Sequence, residues 1–249
     1  MPPDPTQKPG AVLITGAARR IGRAIALNMA RTGWAVGIHY RKSRADAEAL
    51  QDEITALGGQ SALLEGDLSR FECLAGLVAD CTAALGAPSC LINNASEFQL
   101  DTVENTDEAT WDTHLDVNLK APVFLAQAVA RHLPPDCTGN IINIVDQRVW
   151  KLTPDFFSYT ISKAGLWTAT RTLAQGLAPR IRVNAIGPGP VLRSIHQTDS
   201  DFEAEALSTL LHTGPSLDEI TAAVRFILSS PSMTGKRMAP NPSADSFIP

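Results

Sequence analysis

Residues Ala11-Val12-Leu13-Ile14-Thr15-Gly16-Ala17-Ala18-Arg19-Arg20-Ile21-Gly22 open the first regular structure of the chain. The four leading residues are apolar toward both faces, as a strand covered by helices on each side must be. They run into a glycine-bearing turn and then into an amphipathic stretch, 21–32. A glycine turn at such a junction lets backbone approach a pyrophosphate. The helix N-terminus behind it adds unpaired N–H groups and a partial positive charge. Two glycines alone would equally suit an ordinary turn into a helix. Their place directly after an apolar first strand favours the phosphate-binding reading.

The same alternation continues outward from this junction. Further strands are predicted at 35–39, 61–65, 90–93, 140–145 and 182–186, the first strand being 11–15. Helices are predicted at 21–32, 44–57, 70–85, 106–133 and 159–177. Gly33, Gly58-Gly59 and Gly86 stand where helices must stop. Short apolar strands alternating with longer amphipathic helices predict an α/β protein, a doubly wound, mainly parallel sheet with helices on both faces. After Ile186 the rhythm changes: Gly187-Pro188-Gly189-Pro190 continues neither helix nor strand, and a polar loop is expected to reach Thr213, with a short helix near 201–211. One more helix is expected at 217–228. No linker or repeat divides the chain, so a single Rossmann-like domain over 10–249 is expected, preceded by a flexible tail over 1–9.

Composition narrows the function classes. Apolar residues are 44% and charged residues 19% of 249, which suits a sizeable core. A net charge of −5 invites neither nucleic acid nor an anionic membrane surface. No apolar run approaches the roughly 20 residues of a membrane span, and the opening residues do not read as a signal peptide. Cys73, Cys81, Cys90 and Cys137 show no CxxC spacing, and the histidines are scattered. Reduced thiols in a cytoplasmic protein, with no metal, are therefore expected.

Cofactor choice is read at the end of the second strand. Enzymes preferring NAD usually carry an acidic residue there, about 20 residues past the glycine turn, to bind the ribose hydroxyls. Here the chain reads His39-Tyr40-Arg41-Lys42-Ser43-Arg44, with no carboxylate before Asp46. Three cations and a hydroxyl suit a 2′-phosphate, because guanidinium groups bind phosphate through paired, charge-assisted hydrogen bonds. NADPH is the predicted cofactor.

Tyr159-Thr160-Ile161-Ser162-Lys163 places a phenol and an ammonium on one helix face. The ammonium is expected to lower the tyrosine pKa from about 10, making Tyr159 a proton donor near neutral pH. Lys163 would tune it and hold the nicotinamide ribose.

These segments together resemble the short-chain dehydrogenase/reductase family over nearly the whole chain, and within it the pteridine-reductase-like members. The general family reads TGxxxGxG at the first turn. Here Arg20 replaces the middle glycine, as in the TGAAxRxG pattern of the pteridine-reductase-like group, and HYRKS is similar to theirs. The resemblance implies that Asp67, in Gly66-Asp67-Leu68, contacts the adenine. It also aligns Asn93-Asn94-Ala95 with the family's NNAG, Ser96 replacing its glycine. The cofactor set so implied is Gly16, Arg20, Ile21, Gly22, His39, Tyr40, Arg41, Ser43, Asp67, Asn94, Ala95, Lys163, Pro188 and Gly189. Asn118 matches the helix asparagine of a proton relay behind Lys163, although a buried amide satisfied by backbone reads the same in sequence.

One position departs from the common family pattern. Thirteen residues before Tyr159, where a serine usually donates to the substrate carbonyl, stands Asp146. An ionised aspartate only accepts hydrogen bonds, so it cannot stabilise a developing alkoxide. Pteridine-reductase-like enzymes share this aspartate and reduce C=N bonds in pterin or dihydrofolate rings. Phe98, in Asn94-Ala95-Ser96-Glu97-Phe98, resembles their pterin-stacking phenylalanine, though core packing explains it equally. The substrate set is therefore Ser96, Phe98, Asp146, Trp150 and Tyr159, with Trp150 either lining the pocket or simply packing. The catalytic set is Tyr159, Lys163, Asp146 and Asn118.

The expected activity is reduction of a flat heteroaromatic ring by a homodimer or homotetramer. Ketone or aldehyde reduction and a catalytically silent NADPH sensor are the alternatives. Departure from the family pattern also marks the end of the chain, where Pro240 and Pro242 forbid ladder pairing beyond Ala239. The tail contacts of a tetramer are therefore in doubt.

Overall fold

Strand pairing follows from the apolar runs. The computed structural model describes residues 9–194 and 196–241. Its strands are β1 (Ala11–Ile14), β2 (Ala35–Tyr40), β3 (Ser61–Glu65), β4 (Pro88–Asn93), β5 (Gly139–Ile144), β6 (Ile181–Ile186) and β7 (Arg237–Met238). They form one sheet in the order β3-β2-β1-β4-β5-β6-β7, with every pair parallel. The helices are α1 (Arg20–Arg31), α2 (Arg44–Ala56), α3 (Phe71–Leu85), α4 (Glu108–Leu115), α5 (Ala121–His132), α6 (Phe157–Leu177), α7 (Asp199–Leu207) and α8 (Leu217–Ser229). The sheet is doubly wound and wholly parallel, stricter than the mainly parallel expectation. Most of the expected tail lies outside the described residues, as does Ile195.

Alternation along the strands supplies two cores. Val12 and Ile14 face α1, α2 and α8, packing with Ile25, Ile54 and Val224. Leu13 faces the other way, against α3 and α5 with Leu77, Val78 and Leu125. Each fully buried side chain of this size contributes roughly 1.5–3 kcal/mol. A buried polar chain fixes register between them: Asn93 Nδ2 donates to Asn143 Oδ1 (2.8 Å), and Asn143 Nδ2 to Thr170 Oγ1 (2.9 Å).

The predicted helix over 106–133 is not continuous. Asp107 caps α4 through the Thr110 amide, and a π turn over 116–120 separates α4 from α5. Pro122 supplies a physical reason, since its ring would collide with the carbonyl four residues back, at Asn118, in a regular helix. The short helix expected near 201–211 is α7, starting earlier because Thr198 and Asp201 form a capping box. β7, absent from the predicted strands, ends at Met238, just before Pro240.

The sheet order reverses between β1 and β4, where ligands of doubly wound folds bind. The two strand ends are tied there: Thr15 Oγ1 accepts from the amides of Asn94 (2.9 Å) and Ala95 (3.0 Å). Gly16 turns the chain at φ +61°, and a Cβ on Gly22 would overlap the Gly16 carbonyl oxygen and reach 2.6 Å from Asn94 Nδ2. Gly22→Ala is therefore expected to destabilise by roughly 1–3 kcal/mol, a Tm loss of roughly 3–10 °C for a domain of this size. An unchanged Tm in thermal unfolding would contradict this close approach.

Candidate functional site

Two connected clefts open over the strand ends. The first, about 470 Å³, is lined by Gly16, Arg20, Ile21, Gly22, His39, Tyr40, Arg41, Ser43, Asp67, Asn94 and Ala95. The second, about 450 Å³, is lined by Ser96, Phe98, Asp146, Tyr159, Lys163, Pro188 and Gly189 among others. Arg20, Ile21, Asn94 and Ser96 belong to both, so the clefts form one groove.

Not every wall of the first cleft behaves as its sequence suggests. His39 is only 2% exposed. Its Nδ1 accepts from the Gly16 amide (3.0 Å), and Nε2 lies 3.2 Å from the Gly66 carbonyl oxygen. Burial pushes the imidazole down to about 4, so it braces the turn as a neutral ring and brings no cation. Tyr40 is buried and donates to Glu65 Oε2. Of the three expected cations, Arg44 turns to Glu48 and Glu65, while Arg41 pairs with Glu97 across the cleft at 2.7 Å. Arg20 holds a left-handed conformation, φ +53°, at the place where the general family pattern has glycine. Its guanidinium donates to the carbonyls of Leu192 (3.1 Å) and Arg193 (3.0 Å), tying the turn to the loop after β6.

The second cleft centres on Tyr159, whose Oη donates to Asp146 Oδ2 at 2.7 Å. The other carboxylate oxygen accepts the Arg148 amide (2.8 Å). The expected lowering of the tyrosine pKa is overturned. Burial first, then the Asp146 carboxylate, push the phenol well above its ordinary 10. Lys163 Nζ instead donates to the Ile144 carbonyl (2.9 Å), and burial lowers its ammonium to about 8 against the pull of Asp146.

Aromatic groups form one wall. Phe98 stacks on Phe156 at 4.2 Å and meets Tyr159 edge-on at 4.6 Å. Phe156 sits at φ +57°, a strained conformation that the Phe98 ring and the Arg148 guanidinium, 4.8 Å away, hold in place. Gln147 and Gln197, which also line the cleft, both donate to Glu205, and Gln147 Oε1 is buried with no partner among the described residues. Trp150 is not among the residues lining the cleft. Its ring lies between Trp167 (5.5 Å) and the Arg237 guanidinium (3.3 Å).

Behind this face, Asn118 is wholly buried in the π turn. Its Oδ1 accepts the Glu97 amide and its Nδ2 donates to the Glu97 carbonyl and to Ser162 Oγ. The amide thus clamps the loop carrying Ser96 and Phe98.

A further group escaped sequence reasoning. Ser158 Oγ donates to Asp101 Oδ2 (2.5 Å) and lies 2.6 Å from His114 Nδ1, whose Nε2 accepts the Gln99 amide (3.0 Å). An accepting Nε2 puts the ring proton on Nδ1, so the donors run His114 to Ser158 to Asp101. Asp101 also accepts the Ser158 amide and so caps α6, whose own N-cap Phe156 has no side-chain acceptor. The lack of a capping residue before Phe157 was the one sequence signal for it.

Known proteins share this fold and much of this sequence. A family profile described as short chain dehydrogenase matches residues 10–204. An uncharacterized oxidoreductase of Methylorubrum extorquens is 33% identical over 223 residues, 87% of this chain and 89% of its own length. A 3-oxoacyl-[acyl-carrier-protein] reductase of Staphylococcus epidermidis is 32% identical over 192 residues, 77% of this chain and 79% of its own. Among solved structures, FolM alternative dihydrofolate reductase 1 from Brucella canis, complexed with NADP, superposes with a TM-score of 0.92 at 45% identity. That match covers 96% of this chain and 94% of the other. Its Brucella suis counterpart, also with NADP, gives the same score and identity and covers 96% of each chain.

The burial of Lys163 has a measurable consequence. In protein carrying 13C-labelled lysine, one resonance should titrate near pH 8 and be missing from Lys163→Met. A Lys163 that keeps its proton to about pH 10, the ordinary lysine value, would contradict the site's desolvation.

Proposed function

The chain belongs to the short-chain dehydrogenase family, and from that premise we propose that it is an NADPH-dependent reductase of a C=N bond in a pterin- or dihydrofolate-like ring. One observation carries the reading: the cleft floor holds a carboxylate, Asp146, directly against the phenol of Tyr159. Reduction of a carbonyl builds negative charge on oxygen, which a carboxylate opposes. Reduction of C=N needs a proton at nitrogen and acceptors for ring N–H groups, which suits Tyr159, Asp146 and the unpartnered Gln147 Oε1. The second reading, ketone reduction, draws on the 3-oxoacyl reductase among the relatives.

The first cleft suits the cofactor. The tight Gly16–Gly22 turn and the N-terminus of α1 fit a pyrophosphate. Arg41 and Ser43 suit the 2′-phosphate, Asp67, Asn94 and Ala95 the adenosine side, and Lys163, Pro188 and Gly189 the nicotinamide side. The Brucella structures, complexed with NADP, support this assignment. NADPH, when bound, supplies the hydride that reduces the ring carbon. Tyr159 gives its proton to the adjacent nitrogen, and its raised pKa keeps that proton in place until it is needed. Asp146 receives ring N–H groups and orients the phenol. Asn118 acts as a positioning residue through the Glu97 backbone, and Phe98 offers a face to the ring.

The partner is a small molecule rather than nucleic acid or membrane, and no helix among the described residues is long and apolar enough to cross a bilayer. We further assign the protein to the cytoplasm, as a homo-oligomer joined through the outer faces of α4, α5 and α6.

The test is NADPH oxidation against dihydrofolate, a dihydropterin, a β-keto thioester and simple ketones. Turnover with the rings is expected, and Tyr159→Phe should keep NADPH affinity while losing at least about a hundredfold in kcat. Turnover of ketones alone would overturn the ring reading.

A further inference from the structure

Arg41 and Glu97 meet across the cofactor cleft, and we propose that Glu97 is a specificity-determining residue that competes with the 2′-phosphate for the Arg41 guanidinium. The inference rests on the NADPH reading above. Arg41 follows β2 on one rim, Glu97 follows β4 on the other, and both line the same cleft. Their contact, Nη1 to Oε1 at 2.7 Å, joins side chains that are 41% and 24% exposed.

Two observations set this pair apart from an ordinary surface ion pair. The Glu97 backbone is fixed by a buried amide, since its N–H and C=O both bond the Asn118 side chain at 2.9 Å. The carboxylate therefore rises from a backbone held in place at the cleft rim. The second observation concerns supply. Arg44 is engaged by Glu48 and Glu65, so Arg41 is the guanidinium this segment offers to a phosphate, with the Lys42 ammonium beside it in the cleft lining. Glu97 occupies that same guanidinium.

The sign of the effect follows from charge. A 2′-phosphate reaching Arg41 must displace the Glu97 carboxylate or lie beside it as a like charge. A 2′-hydroxyl carries no charge and meets neither cost. Glu97 thus lowers affinity for NADPH and leaves NADH nearly untouched, giving a site that selects the phosphate without holding it tightly. The Ser96–Phe98 loop shares the Glu97 backbone, so cofactor discrimination and the substrate wall meet at one residue.

Calorimetric titration of NADPH, NADH, 2′,5′-ADP and 5′-AMP tests the proposal without any turnover. Glu97→Gln should tighten NADPH and 2′,5′-ADP by roughly three- to tenfold, the scale of an exposed pair plus a like-charge neighbour. NADH and 5′-AMP should change by less than about twofold. Glu97→Ala, which removes the carboxylate without the isosteric amide, should shift the constants in the same direction. In an Arg41→Ala background the tightening should shrink to the smaller part that like-charge repulsion supplies. Unchanged or weaker NADPH binding in both Glu97 variants overturns the inference, as does tightening that persists in full without Arg41. Equal NADPH and NADH constants in the unaltered protein would overturn the phosphate-site reading itself, and this inference with it. A normal NADPH preference without tightening in the variants would overturn this inference alone.

Discussion

Tyr159 places its hydroxyl in a site where only 5% of the residue remains exposed, and its proton goes to Asp146 at 2.7 Å. A buried phenol needs such an acceptor, because an unpaired hydroxyl away from water costs about 1–3 kcal/mol. The same contact bears on the ionisation of the phenol. Burial and a neighbouring carboxylate both disfavour phenolate, so the tyrosine stays an acid rather than becoming a base. Two elements must deliver the partners: β5 ends just before Asp146, and Tyr159 lies in the first turn of α6. The start of α6 is held from outside by Asp101, through the amide and hydroxyl of Ser158. The phenol is thus positioned by a carboxylate far from it in sequence.

Order in the Ser96–Phe98 loop comes from a second clamp. The π turn that accommodates Pro122 carries Asn118, whose amide holds the backbone of Glu97. From that fixed point Phe98 reaches one cleft and Glu97 the other, while Ser96 lines both. Arg20 makes a comparable link on the opposite side, from the glycine turn to the Leu192 and Arg193 carbonyls. The two clefts therefore share structural supports as well as lining residues.

Much of this was legible in the sequence because it is local. Apolar runs gave six strands to within a residue or two, and the four-residue spacing of Tyr159 and Lys163 put both on one helix face. What escaped depends on contacts between distant segments. Asp101 and Ser158 are 57 positions apart, and nothing near either one signals the other. His39 was placed in the cofactor set, whereas its buried ring lies inward and its Nδ1 accepts from the Gly16 amide. Lys163 was read as a charge acting on Tyr159, whereas the nearer carboxylate of Asp146 and burial dominate. Trp150 could line or pack, and only the placement of Arg237 from β7 favours packing. The π turn was hidden because its cause is a single proline inside an otherwise regular helical pattern.

On the proposed reading Asp146 separates ring reduction from ketone reduction, so exchanging its side chain tests the account most directly. The measurement is kcat/KM on one pterin-like ring and one ketone for the unaltered protein and for Asp146→Ser. Serine restores a donor and removes a charge, which should favour oxygen and hinder ring N–H recognition. The account predicts a loss of roughly tenfold or more on the ring, the scale of a hydrogen bond to a charged group, with ketone activity unchanged or raised. Equal gains on both substrates would contradict it, because Asp146 would then have no part in choosing the ring.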